Sequence, residues 1–474
     1  MLSSLAIASR AMFSSESKLN ESILNRLNEI EGLQIDRNPD PASTDFGGMI
    51  RGRVQAIAKP TSIDAIAALV TMANQGHFAL IPRACGWSQS GQSIPQDGIS
   101  IDMRGLKGIK IDGDRGIVHC GGGVSWRELI AETGPQGWMP EVHPFNLDLS
   151  IGGTLSAGGM GSTGHRYGMA LSSVESAIVV TGSGERVETS AKVRPEVLEA
   201  VLGGVGQFGL ICAIALRLRP ILPRLRTWFL LYDDLPKMLA DERILSLQPW
   251  CTHLEGYTSA AFQGVKLNGD RQERIPFARW FYGLQISEEY TPGSEVEAST
   301  RLKELNYREL LHVQDDEAIA HASRYDSRFE MMKGMGLWEQ PHPWLECLLP
   351  YEKAMELLPQ IISQLPLSLG DGHRIMPLTN VPHPRFSMQP DGDLAIVFAI
   401  LSTIHPTALN SALKSLQNIH QQLIEAGGKR YLSGWLFEPN EATWRQHYGI
   451  EYEAWQSRKR SLDPNGVLRS YLLP

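Results

Sequence analysis

The chain has 474 residues, 42% hydrophobic and 20% charged, with a formal net charge of −8 and a pI ≈ 5.9. This is ordinary globular composition and more than one core's worth of chain, since single cores rarely grow past roughly 250–300 residues. No basic run or aromatic–basic interleaving points to nucleic acid, no apolar run reaches the ~18 residues of a membrane span, and five scattered cysteines with no CxxC exclude a zinc ribbon or a disulfide framework.

In chain order, MLSSLAIASRAMFSSESK is Ser-rich, with Arg10 and no acid before Glu16. It reads as a disordered or over-extended start, with a transit peptide over the first 15 residues as the alternative. The unpaired cysteines favour a reducing, cytoplasmic setting. Residues 17–35 predict a helix, and 45–60 a strand ending at Pro60. TSIDAIAALVTMANQG predicts a helix capped by Ser62 or Asp64 and ending at Gly76. FALIPR is a short strand. Residues 99–123 alternate apolar and polar positions between glycines, the signature of antiparallel strands and turns. VSWRELIAETG is a helix, VESAIVVTGSGERVETS a hairpin around Gly182–Gly184, RPEVLEAVLGG a helix stopped by glycine, and LICAIALRLRP a strand ending at Pro220. Beyond Pro220, strand-like pieces (RTWFLLY, CTHLEGYT, ARWFYGLQIS, DLAIVFAIL) alternate with helices such as NSALKSLQNIHQQLIEAGG, and 291–345 is rich in Trp, Met, His and Pro. There is no internal repeat. The pattern is α+β in two lobes: a tail and helix over 1–44, one lobe over 45–220 completed by 430–474, and a second over 221–429.

Three glycine-rich segments compete for a phosphate. GVGQFG (204–209) matches the letters of a dinucleotide fingerprint, but a helix precedes it and a strand follows, the reverse of the required order. It reads as a tight main-chain passage or a helix stop. HCGGGVSWRELI (119–130) leads from strand to helix and reads as a turn with a cap rather than an anion site. PRACGWSQSGQS (82–93) is different. Gly86 and Gly91 permit positive φ, successive N–H groups can form an anion nest, and Ser88, Ser90 and Gln92 add donors. Its partner is LSIGGTLSAGGMGSTGHRYG (149–168), whose small residues fill a core poorly and let main chain touch a flat ligand. Two such segments in one lobe suit a long, thin ligand with a charged middle, such as a dinucleotide.

PRACGWSQSGQS, SIGGTLSAGGMG, VLGGVGQFGLI, HPWL (342–345) and the tail KRYLSGWL…W…HYG…W…RK…LDP together resemble the cytokinin dehydrogenases, of the vanillyl-alcohol-oxidase-type FAD flavoproteins. The resemblance implies an FAD-binding domain in two α+β subdomains and a substrate domain with a large antiparallel sheet and flanking helices. It implies FAD held by Ala84, Cys85, Gly86, Trp87, Ser88 and Gln92 at the pyrophosphate. Ser150, Gly153, Ser156, Met160 and Ile211 would lie along the flavin, and Tyr431 would close the site. It also implies hydride transfer from a small organic substrate to flavin N5, with oxygen or another acceptor taking the electrons, and no metal, nucleic-acid or membrane partner.

This chain departs from that pattern at three places. Where relatives carry the flavin on a histidine, it has Trp87, and an indole nitrogen is no comparable nucleophile. FAD is therefore expected to be non-covalent, with Trp87 filling space at the isoalloxazine edge or, on the plainer reading, serving as core. A thiol link through Cys85 is the other option. The aspartate that takes the amine proton in relatives falls at Phe145, with Asn146 beside it and Asp148 three residues on, turned to the other side. A second acid falls near Leu284 or Gln285. Replacement proton carriers are His143, Asp148, Glu255 and His342, and the catalytic set read from the sequence is His143, Asn146 and Asp148. In the tail, Arg469 faces either the flavin or solvent. The loss of the acid leaves an alcohol or sugar oxidase, or a low-turnover flavin-binding protein, as alternatives.

Overall fold

The computed structural model describes residues 19–268, 273–370 and 372–472. The N-terminal 15 residues, with the transit-peptide reading, lie outside the described residues. Three sheets organise the rest. The first orders Leu33–Asp36, Val54–Pro60, Gly98–Asp102 and Ala79–Arg83 side by side. The second runs Ile109–Asp112, Ile117–Gly121, Gly209–Pro220, Val174–Thr181 and Arg186–Ser190, with Trp138–Pro140 pairing the far end of Gly209–Pro220. The third has eight strands, all antiparallel: Glu309–Glu317, Arg224–Tyr232, Glu273–Tyr290, His253–Asn268, His373–Thr379, Leu394–Ile400, Leu345–Pro350 and Lys429–Arg430. The architecture is α+β.

The third sheet positions the site. Along its central strands, alternate residues face opposite sides. Leu345, Cys347, Leu349, Ile375, Ile396, Phe398 and Ile400 form one core with residues of the helices Leu235–Ser246, Tyr351–Ser363 and Leu409–Glu425. Their neighbours Leu348, Met376, Leu378, Ala395 and Val397 turn the other way, into a core shared with Trp126, Leu155 and Ile211 of the N-terminal half. The sheet thus has a helix-covered face and a face that closes on the glycine-rich segments.

Two expectations need correction. The helix expected over 17–35 is only Glu21–Leu27, capped by Asn20. Gly32 adopts φ 75°, and Leu33–Asp36 becomes a strand paired with Val54–Pro60, so sheet pairing overrides the apolar spacing. The antiparallel reading of 99–123 fails for its first strand. Gly98–Asp102 lies parallel to both Val54–Pro60 and Ala79–Arg83. The helix Ile63–Gly76, capped by Ser62, supplies the crossover that a parallel pair requires. Among the described residues no helix is long and apolar enough to cross a membrane, and no His/Cys/Asp/Glu group is placed to hold a metal.

Candidate cofactor and substrate site

Between the loop after Ala79–Arg83 and the open face of the eight-stranded sheet lies a cavity of about 590 Å³. One wall is main chain. Pro82–Gln89 enter it with Gln92 and Ser93; Ser150, Gly152, Gly153, Ser156 and Met160 line it from the helix Ile151–Ala157 and the turn after it; Val205, Gly206, Gly209 and Ile211 complete that side. All twelve residues read from the sequence as cofactor-binding line this one cavity, Tyr431 among them.

Two constraints call for the glycines, a left-handed backbone at some positions and close approach of another chain segment at others. Gly86 and Gly91 both adopt φ 73°, in the left-handed region. A Cβ on Gly86 would sit 2.3 Å from the Arg83 guanidinium. A Cβ on Gly122 would sit 2.2 Å from the Ile211 carbonyl, and the Gly152 N–H donates to the Gly122 carbonyl at 2.9 Å. HCGGG is therefore a site of close chain crossing. The GVGQFG segment runs between the helix Pro195–Val201 and the strand Gly209–Pro220, and its Val205 N–H donates to the Ser156 carbonyl at 2.8 Å. It is the tight passage beside the cavity that its helix-before-strand order implies.

The loop 84–93 is tied to the C-terminal tail. The Gln92 amide donates to the carbonyls of Leu432, Ser433 and Gly434 at 2.8, 3.2 and 3.0 Å and accepts from the Ser90 N–H at 2.7 Å. Its side-chain groups are thus engaged within the protein. Tyr431 presents its hydroxyl oxygen to the Gly159 N–H at 2.9 Å, joining the tail to the second small-residue segment. Trp87 stacks on Phe46 at 4.9 Å and meets Trp338 edge-on at 4.6 Å, while Phe46 also stacks on His342 at 4.3 Å. Burial pushes the Cys85 thiol pKa up, and the thiol donates to the Asp148 carbonyl at 2.9 Å, which leaves it a poor nucleophile.

The other wall is side chains. Phe145, Tyr325, Phe329, Met331, Met332, Leu337, Trp344, Met376, Val397 and Leu401 make it mostly apolar. Arg374 lies over the rings of Phe145 and Tyr325, at 5.1 and 4.6 Å. Behind this wall Glu255 is 1% exposed and receives hydrogen bonds from Arg324 at 2.8 Å and Tyr325 at 2.9 Å. Burial opposes its charge, but Arg324, Arg374 and these hydrogen bonds hold its pKa below the usual carboxylate range.

Of the sequence-derived catalytic set, only Asn146 lines the cavity. Its side-chain oxygen accepts from the Asp148 N–H at 3.0 Å, and its Nδ2 finds no partner among the described residues. Asp148 is corrected. Its carboxylate turns outward to Arg127 at 2.6 Å with 54% of the side chain exposed, because the chain turns at Leu147–Asp148, where the Asn146 side chain accepts the Asp148 N–H. His143 is corrected too. It is buried outside the cavity with Nδ1 3.1 Å from the Pro144 carbonyl, and burial holds its pKa at about 4, so it is neutral. His342 is fully buried beneath Phe46 with Nε2 3.1 Å from the Trp338 carbonyl, and Glu255 is walled off. Neither lines the cavity.

FAD fits this arrangement on the structure's own terms. Four lining residues, Gln89, Asn146, Trp344 and Arg374, each carry a buried polar atom without a partner among the described residues, and such atoms cost free energy unless a ligand or water meets them. The model of an FAD-binding domain family matches residues 54–190, and that of a family described as "Cytokinin dehydrogenase 1, FAD and cytokinin binding" matches residues 253–470. The chain belongs with the cytokinin dehydrogenase-like FAD-binding oxidoreductases. Among proteins similar to this family member are an uncharacterized oxidoreductase of the fasciation locus of Rhodococcoides fascians, 27% identical over 90% of this chain and 95% of its own length, cytokinin dehydrogenase 9 of rice, 26% identical over 90% and 87%, and cytokinin dehydrogenase 1 of Arabidopsis thaliana, 26% identical over 93% and 82%. It is thus an FAD-dependent enzyme of the vanillyl-alcohol-oxidase type.

Sequence reasoning passed over Phe46, Tyr325, Trp338, Arg374 and Glu346. For the last two a signal existed. Each is a lone charge inside an apolar strand (HRIMPLT and LECLLP), at positions that period-two alternation places on one face.

Proposed function

We propose that this oxidoreductase takes hydride from a small, largely apolar substrate bearing a C–N or C–OH bond, with non-covalent FAD as acceptor and oxygen or another oxidant downstream. In this reading residues 45–220 with 430–474 form the FAD domain, 221–429 form the substrate domain, and the enzyme works in a reducing compartment. The carrying observation is the single cavity that joins the glycine-rich main-chain wall to the apolar sheet face. When bound, FAD supplies a two-electron acceptor that no side chain can replace. The protein's part is to seat it: N–H groups of the 84–88 loop toward the pyrophosphate, Ser150, Gly153, Ser156, Met160 and Ile211 along the ring system, Tyr431 at the tail side. The apolar wall excludes water and orients the substrate. Phe145 and Asn146, standing where relatives have an acid, favour an alcohol as the second substrate class to test.

Anaerobic mixing of the yellow protein with isopentenyladenine, vanillyl alcohol and xylitol tests the reading, with bleaching of the flavin band by one of them as the expected result. Purified protein that takes up no FAD on reconstitution would overturn it. Heat-precipitated protein is expected to release its FAD to the supernatant. Colour retained in the washed pellet would show a covalent link.

A further inference from the structure

Glu346 is the only carboxylate lining the cavity among the described residues, and no imidazole lines it. It stands on the strand Leu345–Pro350, paired with Ala399, which in turn pairs with Arg374 on the next strand. Residues in register across a sheet share a face, so Arg374, Ala399 and Glu346 form one row on the open face, and all three line the cavity. The outer two are separated by two strand spacings, about 10 Å between Cα atoms. The middle position carries only a methyl group, which leaves a shallow trough between a cation and an acid.

We propose that Glu346 is the catalytic base of this site, taking the N–H or O–H proton of a substrate whose polar group lies over Ala399 and whose other side meets Arg374. The proposal rests on the oxidoreductase reading above. As the substrate's C–H bond breaks, its electron pair leaves as hydride for the bound FAD, the proton passes to a Glu346 carboxylate oxygen, and a C=N or C=O bond forms. The acid absent at Phe145 is thus supplied from the strand Leu345–Pro350 of the same wall.

The surroundings of Glu346 suit a base that must gain and lose a proton. Burial raises its pKa to about 7, and a hydrogen bond from the Ser433 hydroxyl at 3.3 Å pulls in the other direction. No lysine or arginine pairs with it among the described residues. Tyr431, from the tail, keeps its proton because burial and Glu346 itself raise its pKa. Arg430 pairs in register with Cys347 and shares that residue's opposite face, while Lys429 reaches the His447 carbonyl at 3.4 Å. Arg374 lies two strands away, and Tyr325 and Arg328 stand across the cavity. A general base works best with its pKa near the working pH, and its loss typically costs roughly 10²–10⁴-fold in rate.

The test uses the FAD-loaded parent, Glu346→Gln and Glu346→Asp, each checked for FAD content, with the same three substrates mixed anaerobically across the pH range. Expected are equal FAD content, a parent bleaching rate that rises through about pH 7, a loss of roughly 10²–10⁴-fold with that limb abolished in Glu346→Gln, and partial recovery in Glu346→Asp. A protonated-carboxyl infrared band that titrates near pH 7 in the parent and is missing in Glu346→Gln gives a readout independent of turnover. Glu346→Gln bleaching at the parent rate with the same limb overturns the proposal. So does a parent band titrating in the ordinary carboxylate range, or a yellow parent that none of the three substrates bleaches. A parent that binds no FAD overturns the oxidoreductase reading instead, so the two failures are distinct.

Discussion

The two walls of the cavity are built on different principles. The wall made by 84–93, 150–160 and 205–211 is main chain with small side chains, and its shape is set by positive-φ glycines and backbone crossings such as Gly122 against Ile211. The wall made by the sheet consists of single side chains, Arg374, Ala399 and Glu346 on strands and Trp344 just before one, at positions where the backbone itself would accept many residues. On the function proposed above, main chain meets what all flavin dinucleotides share, and individual side chains choose what is oxidised. One wall tolerates almost no substitution and carries little specificity, and the other does the reverse.

The sharpest way to break this comparison is at the crossing. Gly122→Val pushes a side chain into the Ile211 carbonyl, where nothing flexible can yield. A loss of about 3 kcal/mol or more is expected, seen as insoluble expression or a collapsed melting transition. Next, Gly86→Val strains a left-handed position by about 1–3 kcal/mol and disturbs Arg83 in the cavity wall. This variant should stay folded by circular dichroism and lose FAD on gel filtration, whereas Arg374→Met should keep its FAD and lose substrate-driven bleaching. If Arg374→Met sheds FAD instead, the division between walls is wrong.

A broader effect comes from pH. His143 and His165 are buried with pKa values of about 4, below the ordinary 6.5, because burial disfavours their charged forms. Between those values the unfolded chain binds protons that the native state refuses. Melting temperature should therefore fall as pH drops from about 6.5 toward about 4, and His143→Gln should flatten part of that slope. The smallest effect is on Ser433→Ala. Removing a hydrogen bond that lowers the Glu346 pKa should move the pH limb of flavin bleaching slightly upward and leave FAD content unchanged.

The same division explains what could be read from the sequence. Segments whose function depends on main chain advertise themselves by composition. PRACGWSQSGQS and SIGGTLSAGGMG are conspicuous because few roles need so many small residues in sequence, and their members gather at the cavity. The sheet wall gives only a fainter signal, single charges inside apolar strands such as HRIMPLT and LECLLP. Arg374, Ala399 and Glu346 are separated by tens of residues and meet only through strand order, which periodicity alone does not fix. Asp148 shows the opposite failure. It lies beside the right segment and is acidic, yet its side chain points at Arg127, away from the cavity. Glu21–Leu27 followed by Leu33–Asp36 shows how pairing with a distant strand overrides local apolar spacing.

The fastening of Gln92 to the carbonyls of Leu432, Ser433 and Gly434 spans some 340 positions of chain. On the ribosome, the loop proposed here to hold the pyrophosphate emerges long before the strip that braces it. Loading with the yellow prosthetic group therefore belongs to the finished polypeptide, and a transcript cut short ahead of residue 431 should yield a colourless product however well its earlier sheets form.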